Sequence, residues 1–173
     1  MKHILPILTI TTLAAAASAQ SAVASSGLSY NRVGLNYATN NVKGYSLSAS
    51  ALIGGSNVLL AGSTSIGGNS SGNGADAVSV GYVFKNVALG ADATLSVGSN
   101  EAYGLNIRKD LGSNIEGAVS YNRVKDASNK NVNAWGAELA YNLTKQYQVA
   151  VGYASKSATS SSSTTSVSVR YNF

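Results

Sequence analysis

Val167–Phe173, VSVRYNF, is the stretch whose reading decides the fold. Val167, Val169, Tyr171 and Phe173 form one apolar row, while Ser168, Arg170 and Asn172 form the other. This is the period-two pattern of a β-strand with two unlike faces. A chain end is ordinarily polar and frayed, so an apolar row carried to a terminal aromatic needs a cover. Lipid is the cover that the rest of the sequence supports.

The same alternation recurs along the chain in ten predicted strands, with eight as the alternative count. They run over Leu28–Ala38, Gly44–Ile53, Val58–Ser65, Ala77–Phe84, Val87–Val97, Ala102–Arg108, Ile115–Val124, Val132–Leu143, Tyr147–Ala154 and Thr164–Phe173. Tyr45, Leu47, Ala49, Ala51 and Ile53 show the pattern, as do Trp135, Ala137, Leu139, Tyr141 and Leu143. One face of each strand is greasy and the other is Ser, Gly, Asn and an occasional charge. Eighteen Gly, one Pro and abundant Ser, Asn and Val favour strands and turns over helices.

Connections alternate in length. Lys85–Asn86 and Thr144–Gln146 are tight, Gly54–Asn57 and Lys109–Asn114 short, and Gly67–Asp76, Lys125–Asn131 and Ser155–Ser163 long and polar. TNNVK and GSNE, on the long side, break the rule by being short. Short turns at one end and longer loops at the other are the pattern of an antiparallel up-and-down transmembrane β-barrel.

The aromatics separate this reading from a soluble sandwich, which would bury them mid-strand. Tyr37, Tyr45, Tyr103, Tyr121, Trp135 and Tyr153 fall at strand ends beside the longer loops. Tyr30, Tyr82, Phe84, Tyr141, Tyr147, Tyr171 and Phe173 fall at the turn side. Two aromatic girdles around a band of Val, Leu, Ala and Ile are what two lipid–water interfaces select.

The first residues predict export. MKHILPILTITTLAAAASAQ has a positive start at Lys2, an apolar stretch over Ile4–Ala17 and a small-residue site at Ala17–Ala19 before Gln20, as in a cleaved signal peptide over residues 1–19. The run is shorter than the roughly 20 apolar residues of a spanning helix. Residues 20–173 are then one barrel domain, and with Lys2 gone 11 basic residues oppose 7 acidic ones, a net +4. These charges are scattered, which argues against nucleic acid as a partner. The absence of Cys removes disulfides and lipid-modified cysteine.

SGLSYNRVGLNYA (Ser26–Ala38), KGYSLSASALIGGSNVLLAGSTS (Lys43–Ser65) and ADAVSVGYVF (Ala75–Phe84) resemble the N-terminal half of the small outer-membrane barrels called porin-family or diffusible-signal-factor-regulated proteins. The resemblance implies the barrel fold and the cell outer membrane, and no particular activity. These loops are Ser-, Asn- and Lys-rich, where the family's are Asp-rich. The terminal Tyr171 and Phe173 resemble the C-terminal signal that the bacterial outer-membrane assembly machinery reads.

If the greasy rows face lipid, Arg32, Asp92, Arg108, Glu116, Glu138 and Arg170 face the lumen, because a cation at mid-depth on the lipid face costs about 2–4 kcal/mol. Arg108 and Glu116 are expected to meet across the Lys109–Asn114 turn. Paired charges that satisfy a closed interior are the plainer reading, and an ion path or gate the sharper one. The other inward residues, among them Ser46, Ser48, Ser50, Gly81, Gly90, Gly104, Ser120, Ala140 and Gly152, are small. Ten strands enclose more space than the eight that side chains just fill, which leaves room for a thin lumen. Strand one carries a flaw: Leu28 and Tyr30 share one parity, and Val33, Leu35 and Tyr37 the other. It must be bulged near Asn31 or begin later.

Enzymatic chemistry fails on inventory, so no cofactor or catalytic residue is expected. The only histidine, His3, lies in the predicted signal peptide, which removes the base of Ser–His hydrolases. A calcium loop needs several carboxylates, and Gly67–Asp76 offers only Asp76. An Asp92–Glu138 glycosidase pair would have little room for a sugar. Two functions remain. One is a structural element or narrow passive channel of the outer membrane with a charge-paired lumen. The other is a surface adhesin acting through its long loops, where Arg123, Lys125, Lys130 and Lys156 could meet lipopolysaccharide phosphates.

Overall fold

The computed structural model describes residues 27–40, 43–68, 77–125, 130–157 and 162–173. Ten antiparallel strands run over Arg32–Asn40 (β1), Gly44–Leu52 (β2), Val58–Gly68 (β3), Ala77–Ala88 (β4), Ala91–Gly98 (β5), Ala102–Gly112 (β6), Ile115–Lys125 (β7), Asn131–Asn142 (β8), Tyr147–Ser157 (β9) and Ser162–Asn172 (β10). Each pairs with its sequence neighbours, and β1 closes on β10. The closing seam aligns Arg32 with Asn172, Leu35 with Val169 and Tyr37 with Val167. The ladder therefore closes on itself without a free edge, as a chain crossing lipid requires.

Alternation sorts the side chains. Leu35, Val80, Leu95, Leu105, Val119, Leu139, Val151 and Val169 are exposed on the outer wall, far more apolar surface than a water-facing monomer presents. The lumen side carries Ser, Gly, Asn and the buried charges. This is a transmembrane barrel whose outer face is solvated by lipid. The long loops Gly67–Asp76, Lys125–Asn131 and Ser155–Ser163 fall largely outside the described residues, and the predicted signal peptide wholly so.

Two strand predictions are corrected. β1 does not begin at Leu28: Gly27–Asn31 leaves the wall and enters the lumen, and the parity change between Tyr30 and Val33 marks that departure. Tyr30, 3% exposed, therefore belongs to the interior and not to the turn-side aromatics. The β4–β5 turn is also not Lys85–Asn86. β4 continues to Ala88, and the chain reverses at Leu89–Gly90, both at positive φ, 52° and 76°. A bulge between the Phe84–Ala93 and Ala88–Ala91 pairs absorbs two extra residues of β4, and Asn86 within it is at φ 53°. By contrast β6 and β7 are joined by a two-residue turn, Ser113–Asn114, at φ 53° and 64°, the twist a tight hairpin prefers.

Leu139 lies between Trp135 and Tyr141 on the outer face of β8. Leu139→Arg is expected to lower the stability of the refolded barrel by roughly 2–4 kcal/mol, measured by urea titration in bilayers. Ser120→Arg, on the lumen side of β7, is expected to cost much less.

Candidate functional site

The lumen is crossed at one level by a floor with an apolar half and a polar half. Val83 on β4, at 0% exposed, Leu52 at the end of β2, and Leu28 and Tyr30 of the inserted segment pack together, with Leu59 of β3 against them. Leu52, Leu59 and Val83 are inward residues at the turn-side ends of three consecutive strands, a lining that water would not favour unless something apolar met it. Leu28 and Tyr30 meet it.

Backbone polar groups entering a lumen must be paired, and three carbonyls of the inserted segment, those of Ser29, Tyr30 and Asn31, accept bonds. The Ser50 hydroxyl donates to the Tyr30 carbonyl at 2.7 Å, and the Leu52 N–H donates to Asn31 Oδ1 at 2.9 Å. The Phe173 N–H donates to the Asn31 carbonyl at 3.0 Å. The two ends of the barrel domain are thus bonded to each other.

The polar half starts at Tyr30. Its hydroxyl donates to Asp92 Oδ2 at 2.9 Å, while the Asn86 N–H of the β4 bulge donates to Asp92 Oδ1 at 2.9 Å. Arg108 stacks over the Tyr30 ring, 4.7 Å from its centroid, a geometry in which the ring face attracts the cation. Its Nη1 donates to the Ser29 carbonyl at 3.0 Å and its Nε to Glu116 Oε1 at 2.7 Å. Gln148 of β9 continues the chain, donating to Glu116 Oε2 at 3.1 Å and Asn142 Oδ1 at 2.8 Å and accepting from Arg170 Nη1 at 3.2 Å. Arg170 in turn grips Glu138 through both guanidinium nitrogens, Nη1 at 2.6 Å from Oε1 and Nη2 against Oε2. The chain from Asp92 to Glu138 thus joins β5, the inserted segment, β6, β7, β9, β10 and β8.

Of the six charges read as inward, five lie in this network. Arg32, on β1, lies beside it and enters no ion pair or hydrogen bond there. Asp92 and Glu138 do not form a two-carboxylate site, since each has partners of its own. The floor divides the interior. On the turn side is a vestibule of about 780 Å³ lined by Ser29, Glu116, Gln148 and Phe173. On the loop side are smaller chambers, one of about 260 Å³ bounded by Arg32 and Arg170 and one of about 220 Å³ bounded by Arg32, Arg108 and Glu138.

The residues that alternation missed are Leu28, Tyr30, Leu52, Val83 and Gln148. Their signal was apolar side chains at lumen parity together with the parity break at Asn31. The aromatics meet at the two ends of the wall: across strands, Tyr37 with Tyr45 at 4.9 Å and Tyr121 with Trp135 at 4.6 Å beside the loops and Tyr147 with Tyr171 at 5.4 Å beside the turns, and along β4, Tyr82 with Phe84 at 4.9 Å. Tyr103 and Tyr153 are exposed near the loop side, and Tyr141 near the turn side. Phe173 stacks 6.4 Å from Tyr171.

No protein-family model and no curated protein matches the chain. Among solved structures, KdgM porin in complex with disordered oligogalacturonate aligns over 82% of this chain and 99% of its own, with a TM-score of 0.51 at 15% identity. KdgM porin alone aligns over 82% and 99%, with a TM-score of 0.47 at 12% identity. The Yersinia pestis outer membrane protein Ail in a phospholipid bilayer nanodisc aligns over 84% and 100%, with a TM-score of 0.43 at 12% identity. The first alignment, together with the closed wall of ten strands, establishes that this chain has the antiparallel β-barrel fold seen in that outer-membrane protein.

Proposed function

We propose that the protein is an outer-membrane barrel that acts as a narrow passive channel, closed at rest by its own inserted segment. The observation that carries this reading is the floor: a lumen lined with small polar residues, crossed at one level by Leu28 and Tyr30 and by the network from Asp92 to Glu138. A purely structural barrel has no need of a hydroxyl- and glycine-lined space above such a floor, and a permanently open pore would not fill its mouth. The apolar half of the floor is completed by one short segment, so its release opens that side of the lumen while the ladder and the wall-borne charges stay in place. The lumen charges then set the conductance, being both the lining and the latch.

In the same reading the two aromatic bands sit at the lipid interfaces. Tyr171 and Phe173 on the last strand serve the assembly machinery, and residues 1–19 direct export. Lipopolysaccharide meets the loop-side rim. Lys125 there is bonded to Glu101 at 2.7 Å, an exposed pair of little energetic weight, so its charge remains within reach of phosphates.

Conductance of the refolded mature chain in a planar bilayer tests this, with heat-shifted gel migration confirming the fold. Wild type is expected to be mostly silent with brief openings, and Leu28→Ser with Tyr30→Ser is expected to convert it to a long-lived open state. A steadily open wild type, or a correctly folded variant that stays silent, contradicts the channel reading.

Glu116→Gln leaves Arg108 without its carboxylate in a site where both side chains are 4% exposed. Breaking a buried pair from one side costs roughly 3–5 kcal/mol. The expected outcome is a matching loss in urea stability together with more frequent openings. Glu101→Gln, on the exposed pair, is expected to change stability by less than about 1 kcal/mol.

A further inference from the structure

Arg32 differs from the other lumen cations. Arg108 holds Glu116 and Arg170 holds Glu138, but Arg32 Nη1 is buried with no hydrogen-bond partner among the described residues. A buried donor left unpaired is costly, and one on a charged group more so. Arg32 borders both loop-side chambers. The larger, about 260 Å³, is walled by Ser48, Ser50, Ser63 and Ser79, with Arg170 on its border and no carboxylate among its lining residues.

Gly34 makes this arrangement possible. A Cβ there would stand 3.1 Å from Arg170 Cγ and 3.2 Å from Ser48 Oγ, so the bare backbone admits the Arg170 stem alongside the serine wall. Two guanidinium groups and several hydroxyls around one water-sized-to-solute-sized space, with no acid in its wall, select negative charge. The planar fork of an arginine suits an oxygen pair in particular.

We propose that this chamber is a binding site for a small oxyanion, a carboxylate or inorganic phosphate, with Arg32 as the counter-charge and the Ser63 and Ser79 hydroxyls as neutral donors, since Ser50 and Ser48 already donate to the Tyr30 and Gly34 carbonyls. The anion supplies the hydrogen-bond partner that the wall does not give Arg32 Nη1. Arg170 shares its charge with Glu138 and contributes mainly to the shape of the site. Occupancy needs only the folded barrel, so the site stands apart from whether the lumen conducts.

Isothermal titration calorimetry of the full mature barrel in detergent micelles tests this, with sodium phosphate and sodium acetate titrated separately at constant ionic strength. Wild type is expected to show saturable binding of one anion per barrel, weakened at least ten-fold by Arg32→Met and partly retained by Arg32→Lys. A response to phosphate alone assigns a tetrahedral ligand, and a response to acetate a planar carboxylate. In buffer free of both anions, Arg32→Met is expected to raise the unfolding temperature by removing an unpaired buried charge, whereas loss of a merely structural arginine would lower it. Absence of saturable binding by either anion, or equal binding by wild type and Arg32→Met, overturns the site. If Arg32→Met fails to fold, Ser63→Leu with Ser79→Leu fills the chamber and leaves Arg32 in place. Binding that survives this filling also overturns it.

Discussion

The interior depends on the contact of Asp92 with Tyr30. A carboxylate 1% exposed must be supplied with donors or its burial is prohibitive. Asp92 takes one from the β4 bulge and one from the inserted segment. It therefore couples an irregularity in the wall to a chain that crosses the lumen. The bulge exists because Asn86 turns its N–H inward at a positive φ, and the inserted segment is held because Tyr30 has a hydroxyl to offer. Neither feature makes physical sense without the other.

The rest of the floor follows from the same requirement. Ten strands enclose more space than side chains of Ser, Gly and Ala fill, and an empty apolar space forfeits contacts on every side. Gly27–Asn31 supplies the missing volume on the β2–β4 side, where Leu52, Leu59 and Val83 point inward. On the opposite side charges fill the space, and each must be satisfied in turn: Arg108 by Glu116, Glu116 by Gln148, Gln148 by Arg170, and Arg170 by Glu138. Such a network is stable when complete and costly when one member is missing. A closed floor made this way is firm, and it hangs on few contacts.

What could be read from the sequence divides along the same line. Alternation is local, so VSVRYNF and its counterparts announced the wall, and with it the inward direction of Arg32, Asp92, Arg108, Glu116, Glu138 and Arg170. The meeting of Arg108 with Glu116 is expected across the short Lys109–Asn114 connection, of which β6 takes all but Ser113 and Asn114. The β4–β5 boundary misled because the bulge puts the polar pair Lys85–Asn86 between apolar Phe84 and Val87, which in sequence looks like a turn between two strands. Tyr30 misled because an aromatic near the turn side looks like part of an interfacial band until the chain is known to leave the wall before Arg32. That departure depends on partners from 20 to 142 residues away, Ser50 for Tyr30 and Phe173 for Asn31, which no local pattern encodes. The unpaired state of Arg32 was hidden for the same reason, since parity gives direction and not company.

The most direct measurement is of nuclear Overhauser contacts in the refolded barrel in micelles, between the Tyr30 ring and the methyl groups of Leu52 and Val83. Strong contacts, with a slowly exchanging Tyr30 hydroxyl, are the predicted result and mean that the inserted segment seals the lumen at rest. Sharp, averaged Tyr30 signals with no contact to either methyl group would place the segment outside the barrel and contradict the account.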